Sequence, residues 1–410
     1  MTTREQRATF GPTYGHPPGG GLAIVLTGGG ARGAYQVGVL RALARRLPQL
    51  RVPIVTGVSA GAVNTARLAQ HGGLVAPAAA DLERHWRSLT VDQVFHADAL
   101  SLLRKVFTWG SKLTSGGIEV DGRTRGLVDT APLREFLRGA LEVGDDGRIP
   151  GIAPHIASGA LRAVGIITTD YASGESITWI EGNDQCAPWV RPQRRGVIAQ
   201  LGLDHVMASA ALPFFFPAVR VGDRWHGDGG IRLTSPLQPA LALGADRIIV
   251  VSTRPEHATP VPASAGYPAP AQILGVLYNA VFVDNVDEDV HRLRRTNALL
   301  DRLPEGEREG LRTVEMLVVR PSRDPGSIAR AYEHLLPKAF RWLTRGLGTR
   351  DRTASGDVLS LVLFLPEFLA QLIALGEEDG DRIADQVDRL AASAAAPPAA
   401  APPPARAPAV

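Results

Sequence analysis

A serine at position 59 stands between two glycines, in Gly57-Val58-Ser59-Ala60-Gly61, directly after the apolar run Val52-Pro53-Ile54-Val55-Thr56. At a strand-to-helix turn this spacing lifts the hydroxyl onto a tight elbow, where it can attack an acyl carbon. Upstream, a second apolar run, Leu22-Ala23-Ile24-Val25-Leu26, ends in Gly28-Gly29-Gly30-Ala31-Arg32-Gly33. A glycine-rich turn that opens a helix offers unpaired backbone N–H groups to an anion. A nucleophile beside an anion-holding turn is the equipment of acyl transfer. A nucleotide-phosphate reading of the turn is set aside on pattern, as lacking both G-x-G-x-x-G and a G-K-[ST] ending.

The serine needs a base. His257, His291 and His334 fall in a Pro-rich connection or in expected helices, without a strand-end turn to aim them. His226 lies two residues before Asp228, too close to be a separate triad member. The chain order therefore weighs against a Ser-His-Asp triad and leaves a histidine-assisted esterase as a rival. Asp228, in Gly227-Asp228-Gly229-Gly230, follows an expected strand. Two readings stand level for it: a turn aspartate, or a carboxylate that the glycines let approach the serine closely.

Four segments together resemble the patatin-like phospholipase family. They are Gly28–Gly33, Gly57–Gly61, Ala208-Ser209-Ala210-Ala211-Leu212-Pro213 and Asp228-Gly229-Gly230, in the family's order and approximate spacing over about residues 20–255. The resemblance implies a three-layer α/β/α fold with a mostly parallel central sheet. It implies a Ser–Asp dyad of Ser59 and Asp228 that uses no histidine, metal or cofactor. It also implies an oxyanion hole at Gly28, Gly29, Gly30, Ala31, Arg32 and Gly33, with Arg32 steadying the loop. The activity so implied is serine lipid acyl hydrolysis of the phospholipase A, lysophospholipase or esterase type, acting on a lipid or other acyl ester. The alternative is a lipid- or acyl-binding regulatory protein with a vestigial dyad.

The elements that would position these residues are legible. Leu22–Thr27 and Val52–Gly57 are near-continuous apolar runs, as in parallel strands covered on both faces. Between them Tyr35, Val39, Leu40, Leu43 and Leu47 recur at helical spacing. This is a βαβ unit, and parallel neighbours end on the same sheet edge, which puts the glycine turn beside the serine elbow. Further on, the pattern predicts a hairpin of Arg162–Thr169 with Ser176–Glu181 and a helix from Asp204. A short hairpin of Val219–Val221 with Arg224–His226, a helix Pro236–Leu243 and a parallel strand Arg247–Ser252 follow. Val314–Val319 reads as a strand, and Ile273–Leu300 and Ile328–Arg345 as helices. Leu212 and Phe214-Phe215-Phe216 read equally as an acyl pocket or as plain core, and Phe107 and Trp109 as a lid or as the core of a cap.

The expected organisation is a flexible arm at residues 1–20 and a catalytic domain over 21–255, with a helical cap at 81–150. A mainly helical C-terminal extension at 256–390 and an Ala/Pro-rich disordered tail at 391–410 complete it. At 410 residues, 45% hydrophobic and 21% charged, the composition is that of an ordinary globular protein. A net charge of +3, with the arginines dispersed, gives no nucleic-acid footprint. Cys186 is the single cysteine, so an internal disulfide or a cysteine-based metal site is excluded. No secretory apolar region opens the chain. The longest apolar stretch, near Leu359–Leu375, is broken by Pro366 and Glu367. A cytoplasmic protein is expected, with peripheral membrane contact left open.

Overall fold

The computed structural model describes residues 21–96, 128–213, 215–255, 285–308, 311–335 and 355–393. The expected arm, the middle of the expected cap with Phe107 and Trp109, His257, Phe214, residues 273–284 and 336–345 of the two expected C-terminal helices and residues 394–410 of the Ala/Pro tail lie outside them; the first residues of that expected tail, 391 and 392, belong to the last helix.

The first βαβ unit consists of β1 (Gly21–Leu26), α1 (Gly33–Arg46) and β2 (Ile54–Val58). β1 and β2 pair in parallel, and Leu26 stands opposite Gly57. Their carboxyl ends therefore leave the sheet side by side. β2 runs into α2 (Ala60–Gln70), and α3 (Val75–Ser88) follows. After α4 (Ala131–Ala140) the chain enters β3 (Ala163–Asp170), parallel to β2, and returns antiparallel as β4 (Ser176–Gly182). A hairpin of β5 (Trp189–Arg191) and β6 (Arg194–Ile198) extends that edge. α5 (Leu203–Ser209) leads to a second hairpin, β7 (Val219–Val221) and β8 (Arg224–Asp228). α6 (Gln238–Ala242) precedes β9 (Ala245–Val251), which pairs in parallel with β1. α7 (Asn285–Leu300) leads to β10 (Glu315–Val319), parallel to β9. α8 (Pro325–Tyr332), α9 (Ser355–Val362) and α10 (Pro366–Ala392) close the described chain.

The sheet order is β10-β9-β1-β2-β3-β4-β6-β5, with the first five strands all parallel. Side chains alternate between its two faces, as the strand period requires. Ile24, Leu26, Ile249 and Val251 join the larger core, with Tyr35 and Leu40 of α1 and Phe368 and Leu372 of α10. Ala23, Val25, Ile248 and Val250 face the other way, onto Ala240 of α6 and Val286 and Val290 of α7. Helices thus cover both faces of a mixed, mostly parallel sheet, the three-layer arrangement expected. β10 joins this sheet, and α10 lies along α1, held by the Arg45–Asp381 pair and the hydrogen bond from Tyr35 Oη to Asp379. The segment after residue 284 is thus built into the central layer as well as its cover. Among the described residues no helix is long and apolar enough to cross a membrane.

Candidate active site

One strand sets the spacing of the site. Along β3, Ile167 pairs with Val58 of β2, and the next residue, Thr168, pairs with Asp228 of β8. Where β2 leaves the sheet at the serine elbow, β8 takes its place against the same edge of β3. Residues far apart in sequence are brought to consecutive rungs by that handover.

The backbone is strained at the elbow. Ser59 has φ 57° and ψ −127°, a positive φ that few non-glycine residues adopt. The flanking glycines are there for close approach. A Cβ on Gly57 would lie 2.4 Å from Gly61 O, and one on Gly61 would lie 2.2 Å from Leu26 O. Ser59 is the N-cap of α2, so its hydroxyl stands at the positive end of that helix. The glycine turn lies against it: a Cβ on Gly28 would be 3.1 Å from Ser59 Cβ and 3.8 Å from Oγ.

Asp228 is fully buried. Its Oδ1 accepts the Gly230 N–H at 2.8 Å. Oδ2 has no hydrogen bond of full geometry, so it is a buried acceptor in search of a proton. Burial pushes the carboxyl up to about 7, while the neighbouring Ser59 hydroxyl and the Gly230 amide pull the other way. A loosely aligned serine–base contact is common before substrate tightens it.

The segment Ala208–Pro213 fastens both residues. Ser59 N–H donates to Ser209 Oγ at 2.9 Å, and the Ser209 hydroxyl donates to Ile167 O at 2.6 Å. Asp228 N–H donates to Ala211 O at 3.0 Å. The Ser209 hydroxyl and the Ala211 carbonyl thus set the two backbones in place.

In the glycine turn, Gly29 and Gly30 have φ of 155° and 54°. The first backbone hydrogen bond runs from Arg32 N–H to Gly29 O, so the preceding amides are donors free of backbone partners among the described residues. The turn is braced from beneath. Thr253 Oγ1 donates to Gly28 O at 2.5 Å, Gln36 Nε2 to Thr27 O at 2.7 Å, and Asn64 Nδ2 to Gly33 O at 3.2 Å. Trp86 Nε1 completes the chain by donating to Asn64 Oδ1 at 2.8 Å. Arg32 is buried and donates from Nε to Ser360 Oγ of α9 at 2.7 Å. The spacing Gly28-x-Gly30-x-x-Gly33 does satisfy the dinucleotide pattern G-x-G-x-x-G, which corrects that expectation. The turn is tightly packed on its other sides: Ser59 abuts Gly28, and a Cβ on Gly30 would collide with the Leu361 carbonyl.

A cavity of about 90 Å³ opens beside Ser59, Gly29 and Gly30. Val63, Leu82, Trp86, Phe136, Leu212 and Phe216 are among its walls, which are almost wholly apolar. Of the aromatic run, Phe216 lines this cavity and Phe215 is core.

The candidate histidines sit elsewhere. His226 Nδ1 meets Thr168 Oγ1 at 3.1 Å, and its ring packs on Trp179 with centroids 5.4 Å apart. His205 packs on the same indole at 4.9 Å. His291 and His334 are exposed. No described histidine hydrogen-bonds Ser59 or Asp228. Among the described residues no group of His, Cys, Asp and Glu could hold a metal ion.

Burial pulls His226 down and His205 down to about 4. Between the ordinary value of 6.5 and about 4 the unfolded chain binds protons that folded His205 refuses. The melting temperature therefore falls as pH drops through this window, and His205→Gln flattens the fall. An equally steep fall in that variant would show that His205 has no part in it.

The family model for patatin-like phospholipase matches residues 24–241, so the chain belongs to the patatin-like phospholipase family. The match contains the glycine turn, Ser59, the Ala208–Pro213 segment and Asp228. A search of the curated proteins returns no match. Among solved structures, VipD from Legionella pneumophila is similar at 14% identity and a TM-score of 0.32, over 89% of this chain and 67% of that one. Human GIVD cytosolic phospholipase A2 is similar at 12% identity and a TM-score of 0.44, over 92% of this chain and 60% of that one. The same human enzyme in complex with methyl gamma-linolenyl fluorophosphonate gives 11% and 0.43, over 92% and 59%. This chain thus spans about 60% of the human enzyme's length.

Proposed function

We propose that the protein is a serine lipid acyl hydrolase that works through a Ser59–Asp228 dyad. The Asp228 carboxylate takes the Ser59 Oγ proton as Oγ attacks the ester carbonyl carbon. The carbonyl oxygen becomes an oxyanion held by amides of the Gly28–Gly33 turn. The tetrahedral centre collapses, the alcohol leaves with the proton from Asp228, and an acyl-serine remains. Water then attacks that ester, giving its proton to Asp228. The second collapse frees the fatty acid, and the proton returns to Ser59.

The observation that carries this reading is the pairing of Val58 and Asp228 with adjacent residues of β3, beside a turn rich in donors. The acid's environment supports it further. An ordinary carboxylate is a weak base, and burial at Asp228 raises its basicity to suit proton transfer near neutral pH. The apolar cavity fits a fatty acyl chain, and the family suits a lipid ester.

Release of free fatty acid from a panel of defined phospholipids, lysophospholipids and acylglycerols, followed against pH, tests the proposal. Only the ionised carboxyl acts as base, so kcat/KM rises about tenfold per pH unit below the inflection and levels off above it. The inflection falls at about 7. A profile that is flat through neutrality, or that falls as pH rises, would contradict Asp228 as the base.

A further inference from the structure

The matched family region ends at residue 241, yet the cavity beside Ser59 has a wall made far downstream. Leu361, Val362 and Phe364, at the end of α9 and just beyond it, line that cavity together with Ser59, Gly29 and Gly30. All three are buried. The contact is a close one. The Leu361 carbonyl stands so near the Gly30 backbone that any side chain at position 30 would collide with it. One residue earlier, Ser360 accepts the hydrogen bond from Arg32 Nε, and both residues are shut away from solvent.

The wall is anchored on both sides. α9 packs against α8, and Leu363 is fully buried between α9 and α10. Phe368, Leu369 and Leu372 then bury the start of α10 in the same core that holds α1. A segment fixed this firmly keeps a set distance from the nucleophile. Its apolar side chains face the space that an acyl chain must enter when its carbonyl lies at Ser59.

We propose that Ser360–Phe364 is a specificity-determining and positioning part of the acyl site. Val362 and Phe364 limit the length of acyl chain accepted, and Ser360, through Arg32, holds the glycine turn in register with Ser59. The inference rests on the acyl-hydrolase reading above. It adds that the family-matched region lacks one wall of its own substrate site.

The test uses the full-length protein and p-nitrophenyl esters from butanoate to palmitate. Val362→Phe fills the cavity and lowers the kcat/KM ratio of laurate to butanoate by about tenfold or more. Phe364→Ala opens it and shifts the optimum toward longer chains, with Phe364→Leu as a milder version should alanine melt the fold. Ser360→Ala lowers kcat on every ester with KM little changed, and Ser360→Thr, which keeps the hydroxyl, restores it. A lower melting temperature with kcat intact in Ser360→Ala would reduce that residue to a structural role. An active wild type whose chain-length profile is unchanged in folded Val362 and Phe364 variants would overturn this inference alone. A wild type that cleaves no ester would overturn it together with the hydrolase reading.

Discussion

Ser59→Ala lowers hydrolysis of every ester substrate by about 10⁴-fold or more, with the fold and substrate affinity left as they were. The change removes one oxygen and nothing that packs. Cβ remains against Gly28, and the backbone amide still donates to Ser209 Oγ. The positive φ at position 59 is kept too, so the elbow retains its strain. What disappears is the atom proposed to form the acyl bond, and the turn amides alone cannot replace it. Fatty-acid release and a thermal melt on the same preparation check this. Turnover near wild type in a folded Ser59→Ala protein would mean that another group attacks the ester.

Asp228→Asn carries the second large effect, and its signature has two parts of opposite sign. The amide keeps the shape and the Gly230 contact but cannot accept the serine proton, so kcat falls by about 10³-fold or more. Stability moves the other way. Burial raises the folded carboxyl from the ordinary 3.8 to about 7, so the folded chain holds a proton that the unfolded chain has lost across that window. The carboxyl's stabilising share is whole below about 4 and is lost as pH rises through about 7. Asparagine never ionises, so the variant melts higher than wild type above neutrality, and the gain shrinks as the pH falls toward 4. A more stable and nearly inactive protein is the pattern of a site that gives up stability for chemistry. If the variant kept its activity, or melted lower at alkaline pH, Asp228 would be an ordinary turn aspartate.

The parts of the site that were legible in the sequence are those fixed by local backbone demands. The serine elbow and the glycine turn each need glycines within a few residues, and the apolar runs before them name their strands. Parallel pairing of β1 and β2 then follows from the helix between them. The position of Asp228 was not legible in the same way. It depends on β8 replacing β2 along β3, a register set by a hairpin and not by any pattern near Ser59. The β5–β6 hairpin was missed because Arg191, Arg194 and Arg195 break the alternation that marks a strand.

The braces of the site were hidden for a related reason. Gln36, Asn64, Ser209 and Thr253 are buried polar residues on otherwise apolar or small-residue elements. That misfit was their only local signal, since their partners lie on other elements. Ser360 and Leu361 are hidden further still, because nothing in their own stretch of chain refers to the turn more than three hundred residues earlier.

The dyad itself is tested most directly by reaction with a fluorophosphonate followed by peptide mapping across pH. Such a probe bonds covalently to an activated serine and ignores unactivated ones. The account predicts a single adduct, on Ser59, forming at a rate that rises to a plateau through about pH 7 and is lost in Asp228→Asn. No adduct, an adduct on another residue, or labelling of Ser59 at full rate without the Asp228 carboxyl would contradict it.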